Sequence, residues 1–118
     1  MTVHVAAAPS SLPVLRAVVA AIAAAADLTI DEIDDAMIAV EEAALLVLGH
    51  TSTELTFVAG ASDGSVDMFV SGDDTKGTWS AKDLESSLAF RILSGVVTNL
   101  SIDADRPGLQ FSKRSATS

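Results

Sequence analysis

The chain of 118 residues has no cysteine, no tyrosine, one tryptophan and only seven basic residues. Without cysteine there is no disulfide, no thiolate zinc site and no cysteine nucleophile, and the usual chemical marker of an oxidising compartment is missing. A cytoplasmic location is therefore the expectation. The seven Lys and Arg stand against sixteen Asp and Glu, a formal charge of −9. Such a surface repels phosphate backbones, which argues against DNA or RNA as a ligand. Its natural electrostatic complement is a protein with a basic patch. With four phenylalanines and one tryptophan, the core has to be built mostly from aliphatic side chains. The apolar run "AVVAAIAAAA", residues 17–26, is too short to span a bilayer. Only Arg16 and His4 could flank it as a signal-peptide core, so it reads as a buried helix and no membrane association is expected.

The length suits one domain across residues 1–118, with no internal repeat or linker. "TVHVAA" at the start is β-branched and extended, and "PSSLP" breaks it. Ser11, Leu12 and Pro13 open a first helix over Leu12–Ala26, supported by alanine's high helix propensity. Thr29 and Glu32 stand at capping-box spacing, so a second helix starts at Ile30 and ends near Gly49. "STELTFVAG" and "SVDMFVSG" alternate as strands joined at a turn centred on Asp63 and Gly64. The spacing of Leu84, Leu88 and Ile92 predicts a third helix over Lys82–Leu93. "VTNLSID" and "GLQFSK" then form a second hairpin around "ADRPG". The order β-α-α-β-β-α-β-β predicts a two-layer α+β sandwich: a mixed, mostly antiparallel sheet with three helices on one face.

On a helical wheel, Ile30, Ile33, Met37, Val40, Ala44, Val47 and Leu48 of the second helix form the expected core stripe. Asp31, Asp35, Ile38, Glu42, Leu45 and Leu46 lie opposite, with Glu41 at the margin. A single outward glutamate is ordinarily a solvated acid. Leucines on the same face imply that something covers it, which makes these six residues the candidate partner-binding surface.

Other chemical motifs are weak. In "GDDTKGTW" the glycines have a Walker-like separation, but Thr78 stands where the lysine belongs. His50 near a helix C-terminus is an ordinary dipole partner rather than a metal ligand, and no metal site is expected. Asp103 and Asp105 precede "RPGLQF", which has no further acids, and so mark a turn.

The stretch "IDDAMIAVEEAALLVL" resembles the second helix of the bacterial anti-sigma regulatory factors, serine-protein kinases with the histidine-kinase-like ATPase fold. The family's helix reads approximately D-[IL]-x-L-A-V-x-E-A-x-x-N-A, and Asp35, Ala39, Val40, Glu42 and Ala43 match it in register. "SSLAFRILSGVVTNLSIDADRPGLQFSKR" is similar to the family's last helix and hairpin. The resemblance implies that Glu42 occupies the place of the catalytic glutamate. It also places Leu46 where an asparagine coordinates magnesium, and a hard cation requires oxygen there. The family's D-x-G-x-G motif falls on Gly72 to Asp74 with its aspartate and glycine exchanged, leaving Asp73 and Asp74 as substitute cofactor-binding acids. "LESSL", residues 84–88, has no glycine to cover a phosphate.

The resemblance thus implies a non-catalytic regulatory module. It would bind a sigma factor or an anti-sigma-factor antagonist, form a homodimer and need no cofactor. The competing expectation is an active serine-protein kinase with ATP, magnesium and Glu42 as base. A third is a scaffold subunit whose partner holds the catalytic competence.

Overall fold

The computed structural model describes residues 1–73 and 75–116. Strand β1 (Thr2–Ala6) leads through a 3-10 turn at Pro9–Ser11 into helix α1 (Leu12–Ala25), followed by α2 (Ile30–Leu48). Strands β2 (Glu54–Ser62) and β3 (Ser65–Gly72) form the first hairpin. Helices α3 (Ala81–Leu84) and α4 (Leu88–Val96) precede the second hairpin, β4 (Thr98–Ile102) and β5 (Gly108–Arg114). The five strands make one sheet in the order β1-β2-β3-β5-β4, and every ladder is antiparallel. The expectation of a mixed sheet is corrected in that respect. No helix among the described residues is long and apolar enough to cross a membrane.

Strand alternation sorts the two faces. Leu55, Phe57 and Ala59 of β2, Val66, Met68 and Val70 of β3, and Leu109 and Phe111 of β5 are buried and point to one side. α1 covers that side with Leu15, Val19 and Ala23, and α2 with Ala36, Ala39, Val40, Ala43, Ala44 and Val47. Four alanines on the buried side of α2 leave little side chain between helix and neighbours, so the backbones approach closely. β5 takes the place beside β3 because Leu109 and Phe111 supply core residues, whereas β4 has no fully buried residue and forms an edge. On the sheet's other side, Val58 is exposed and Thr56 and Phe69 are half-buried.

Three local devices set the helix boundaries. After α1, the N–H of Leu28 donates to the Ala23 carbonyl and that of Asp27 to the Ala24 carbonyl, the paired bonds of a Schellman stop. The left-handed residue this stop requires is Asp27, at φ 62°. At α2, the Thr29 hydroxyl accepts from the Glu32 N–H at 3.2 Å while Glu32 Oε1 accepts from the Thr29 N–H at 2.8 Å. This is the predicted capping box.

The predicted single helix over Lys82–Leu93 is two helices. The Ser87 hydroxyl accepts from the Phe90 N–H at 3.1 Å, capping α4, and donates to the Leu84 carbonyl at 2.7 Å, closing α3. Ser86 similarly donates to the Asp83 carbonyl. Serines that bond locally compete with the continuous helical ladder, and here they interrupt it. Leu88 and Ile92, whose spacing predicted the helix, are exposed, and Leu93 is the residue of α4 that is fully buried.

Candidate functional site

α2 runs between α1 and α4, and its burial agrees with the wheel read off the sequence at Val40, Ala44 and Val47 but differs elsewhere. The buried stripe centres on Ala36, Ala39, Ala43 and Val47. Ile30 is exposed, and Ile33, Met37 and Leu48 are half-buried. The apolar side chains are larger on one flank, but the sheet and α4 select the alanine face because small residues permit closer packing.

This rotation divides the six predicted surface residues into two groups. Asp35, Glu42 and Leu46 recur at seven and four residues, so they share the flank toward α4 and β5. Asp35 receives a hydrogen bond from Lys113 Nζ of β5 at 3.0 Å, and the same ammonium donates to the Val96 carbonyl at the end of α4 at 3.0 Å. Lys113 thereby joins α2, α4 and β5. Glu42 is half-buried, and Leu46 packs against the hydrophobic core. Leu46 is half-buried, so it is less open than the expected outer face. Asp31, Ile38 and Leu45 face outward and are exposed.

On the opposite flank, Glu41 Oε2 lies 3.6 Å from the Arg16 guanidinium of α1. Arg16, Asp34, Met37, Ile38 and Glu41 line a groove of about 350 Å³ between the two helices. Sequence reading placed Ile38 in the surface but missed Asp34 and the partnership of Arg16 with Glu41. Their spacing along separate helices carries no sign of which pair will meet.

Asp73 is exposed and lines a separate cavity of about 160 Å³ with Glu54, Thr56, Ser71 and Arg106. Thr56 and Ser71 are cross-strand partners that alternate with buried Leu55 and Val70, so their side chains project from the sheet face opposite α2. Asp73 and Glu42 are therefore not brought together. Asp74 lies outside the described residues. Gly72 sits against Thr51: a Cβ there would stand 2.8 Å from Thr51 Cγ2 and 3.2 Å from the Glu54 carbonyl oxygen. The position that the resemblance gives to an adenine-binding aspartate has no room for a side chain as the chain is packed.

His50 engages neighbours from the loop after β3. Its Nδ1 is 2.6 Å from the Thr78 hydroxyl, and its ring meets Trp79 edge to face at 5.1 Å. Trp79 Nε1 donates to the Asp103 carbonyl at 2.7 Å, tying this loop to the second hairpin. Among the described residues, no three His, Asp or Glu side chains converge to hold a metal ion.

Glu32 is the titratable group with a clear perturbation. The N–H groups of Thr29 and Ala116, the latter 2.7 Å from Oε2, hold its carboxyl below the usual glutamate range. Both donors favour the charged form, and they outweigh its burial. The Thr29 contact is legible as a capping box, whereas Ala116 is 84 residues away in sequence and gives no local signal.

Comparison with family models and with curated proteins gives no match for this chain.

Proposed function

We propose that the chain is a regulatory protein-binding module of the histidine-kinase-like ATPase fold, resembling a bacterial anti-sigma factor that has lost nucleotide-dependent catalysis. Its partner in this reading is a sigma factor or an anti-sigma-factor antagonist, and the acting form is a cytoplasmic homodimer. What supports the fold part of this reading is the order of elements along the chain, a strand, two helices and a hairpin followed by a helical segment and a second hairpin.

The observation that carries the functional reading is the placement of Leu46. It is one turn beyond Glu42 on the same flank, and it packs its apolar side chain against the core where a magnesium ligand would have to present oxygen. Phosphoryl transfer depends on metal-assisted charge stabilisation, which a leucine cannot supply. The lack of room at Gly72 adds a second, independent obstacle to adenine recognition in the family's manner. Glu42 in this reading is a vestige of the catalytic glutamate.

The retained, half-buried Glu42 favours the alternative, an active serine-protein kinase. Calorimetric titration with ATP and ADP, with and without magnesium, separates the two. The module predicts no binding tighter than about 100 μM, roughly 5.5 kcal/mol. It also predicts nucleotide-independent capture of a sigma factor or antagonist by the purified chain. Magnesium-dependent ATP binding that is lost in Glu42→Ala, with phosphate transfer to the antagonist, would establish the kinase instead. Failure to bind either nucleotide or these proteins would sink both readings.

A further inference from the structure

Along α2, Asp31, Asp34, Ile38, Glu41 and Leu45 recur at alternating steps of three and four residues. This spacing keeps a row of side chains on one side of a helix, and it is the spacing by which one helix packs along another. The row faces away from the sheet. Asp31 and Asp34 are exposed, and Ile38 and Leu45 each leave 43% of their surface accessible. Met37 and Arg16 complete the groove beside it.

Acid and apolar side chains alternate along the central part of the row: Asp34, Ile38, Glu41, Leu45. An occupant has to cover the apolar pair and bring positive charge to the acids. The chain carries a net charge of −9, so a second copy is a poor occupant. Set antiparallel about Ile38, two copies of α2 would oppose Asp34 to Glu41, and set parallel they would oppose each acid to itself. The Arg16–Glu41 pair is solvent-exposed and contributes little to stability, so Glu41 is available to exchange its partner.

We infer that the α1–α2 groove docks a basic amphipathic helix of another protein. Apolar side chains seven residues apart on that helix reach Ile38 and Leu45, and lysines or arginines between them reach Asp34 and Glu41. The inference rests on the reading of the chain as a protein-binding module, and it adds the surface and the chemistry of the partner.

The probe is a fluorescent helix-forming peptide of about 18 residues, five helical turns, with leucines and lysines at the matching spacing. Its control is a peptide of the same composition in scrambled order. Anisotropy titrations of the full chain should show binding of the matched peptide that weakens with salt, and much weaker binding of the scramble. Ile38→Ser with Leu45→Ser should reduce affinity about tenfold or more, the loss of an apolar hot spot. Asp34→Asn with Glu41→Gln should reduce both affinity and salt dependence. Asp63→Asn with Asp105→Asn, at the two hairpin turns, should leave affinity unchanged. Equal binding of both peptides, or groove variants that bind as the parent does, overturns the inference. A homodimer in sedimentation that dissociates in the Ile38→Ser, Leu45→Ser variant also overturns it, because the occupant is then a second copy. Magnesium-dependent ATP binding, with peptide affinity still lost in the groove variant, retains this inference and overturns only the nucleotide-independent reading.

Discussion

Glu32, in the first turn of α2, accepts a hydrogen bond from the backbone N–H of Ala116, two residues beyond the end of β5, while its other oxygen closes the capping box with Thr29. One carboxylate thus caps a helix and fastens the far end of the chain to it. Lys113 repeats the connection a turn along, through Asp35. The N-terminus of α2 and the last strand are consequently one structural unit.

This arrangement has a pH signature. The folded-state pKa of Glu32 lies below its ordinary value of 4.5, because the Thr29 N–H and then the Ala116 N–H favour the carboxylate. Its stabilising contribution is complete above the unfolded-state pKa and is lost as pH falls through the lowered folded value. Urea unfolding across the acid range should therefore show a decline in midpoint that begins near pH 4.5 and continues below it. Glu32→Gln should lower the midpoint at neutral pH and flatten that decline. An unchanged acid limb in the variant would assign the pH dependence to other carboxylates.

Asp27 holds the left-handed position that ends α1, at φ 62°. Glycine adopts this conformation without steric cost, and β-branched residues do so least readily. Asp27→Gly should therefore retain or slightly raise stability, while Asp27→Val should lower it by about 1–2 kcal/mol. Chemical denaturation of the two variants checks the order.

Leu45 and Leu46 are adjacent in sequence and differ in environment, the first exposed and the second packed on the core. Leu46→Ser should cost about 1–3 kcal/mol through lost burial and a partly buried hydroxyl. Leu45→Ser should stay within about 0.5 kcal/mol of the parent. Equal thermal shifts in the two variants would contradict this orientation of α2.

Gly72 packs against Thr51 and the Glu54 carbonyl. Gly72→Ala should destabilise by about 1–3 kcal/mol through overpacking, and Thr51→Ser, which removes the nearest methyl, should recover part of that loss. Additive effects in the double variant would show that the two positions do not collide. Gly72→Asp should destabilise further and should not create ATP binding.

Local signals determined much of this protein from its sequence. Thr29 and Glu32 announced the start of α2, strand alternation around Asp63 and Gly64 the first hairpin, and the turn segment "ADRPG" the second, because each depends on residues within a few positions of one another. The same local reading placed Val40, Ala44 and Val47 of the α2 stripe in the core but misplaced its N-terminal half, and it joined α3 to α4. Tertiary packing decided the first, since the alanine face fits more closely against the sheet than the larger residues beside it. The second turned on Ser87, whose hydroxyl serves two helix ends at once. Only the folded chain decided that Leu46 packs against the core, that Asp73 and Glu42 lie on opposite sides of the sheet, and that Arg16 meets Glu41. Those relationships join segments distant in sequence, and no periodicity within one segment encodes which face of another it will meet.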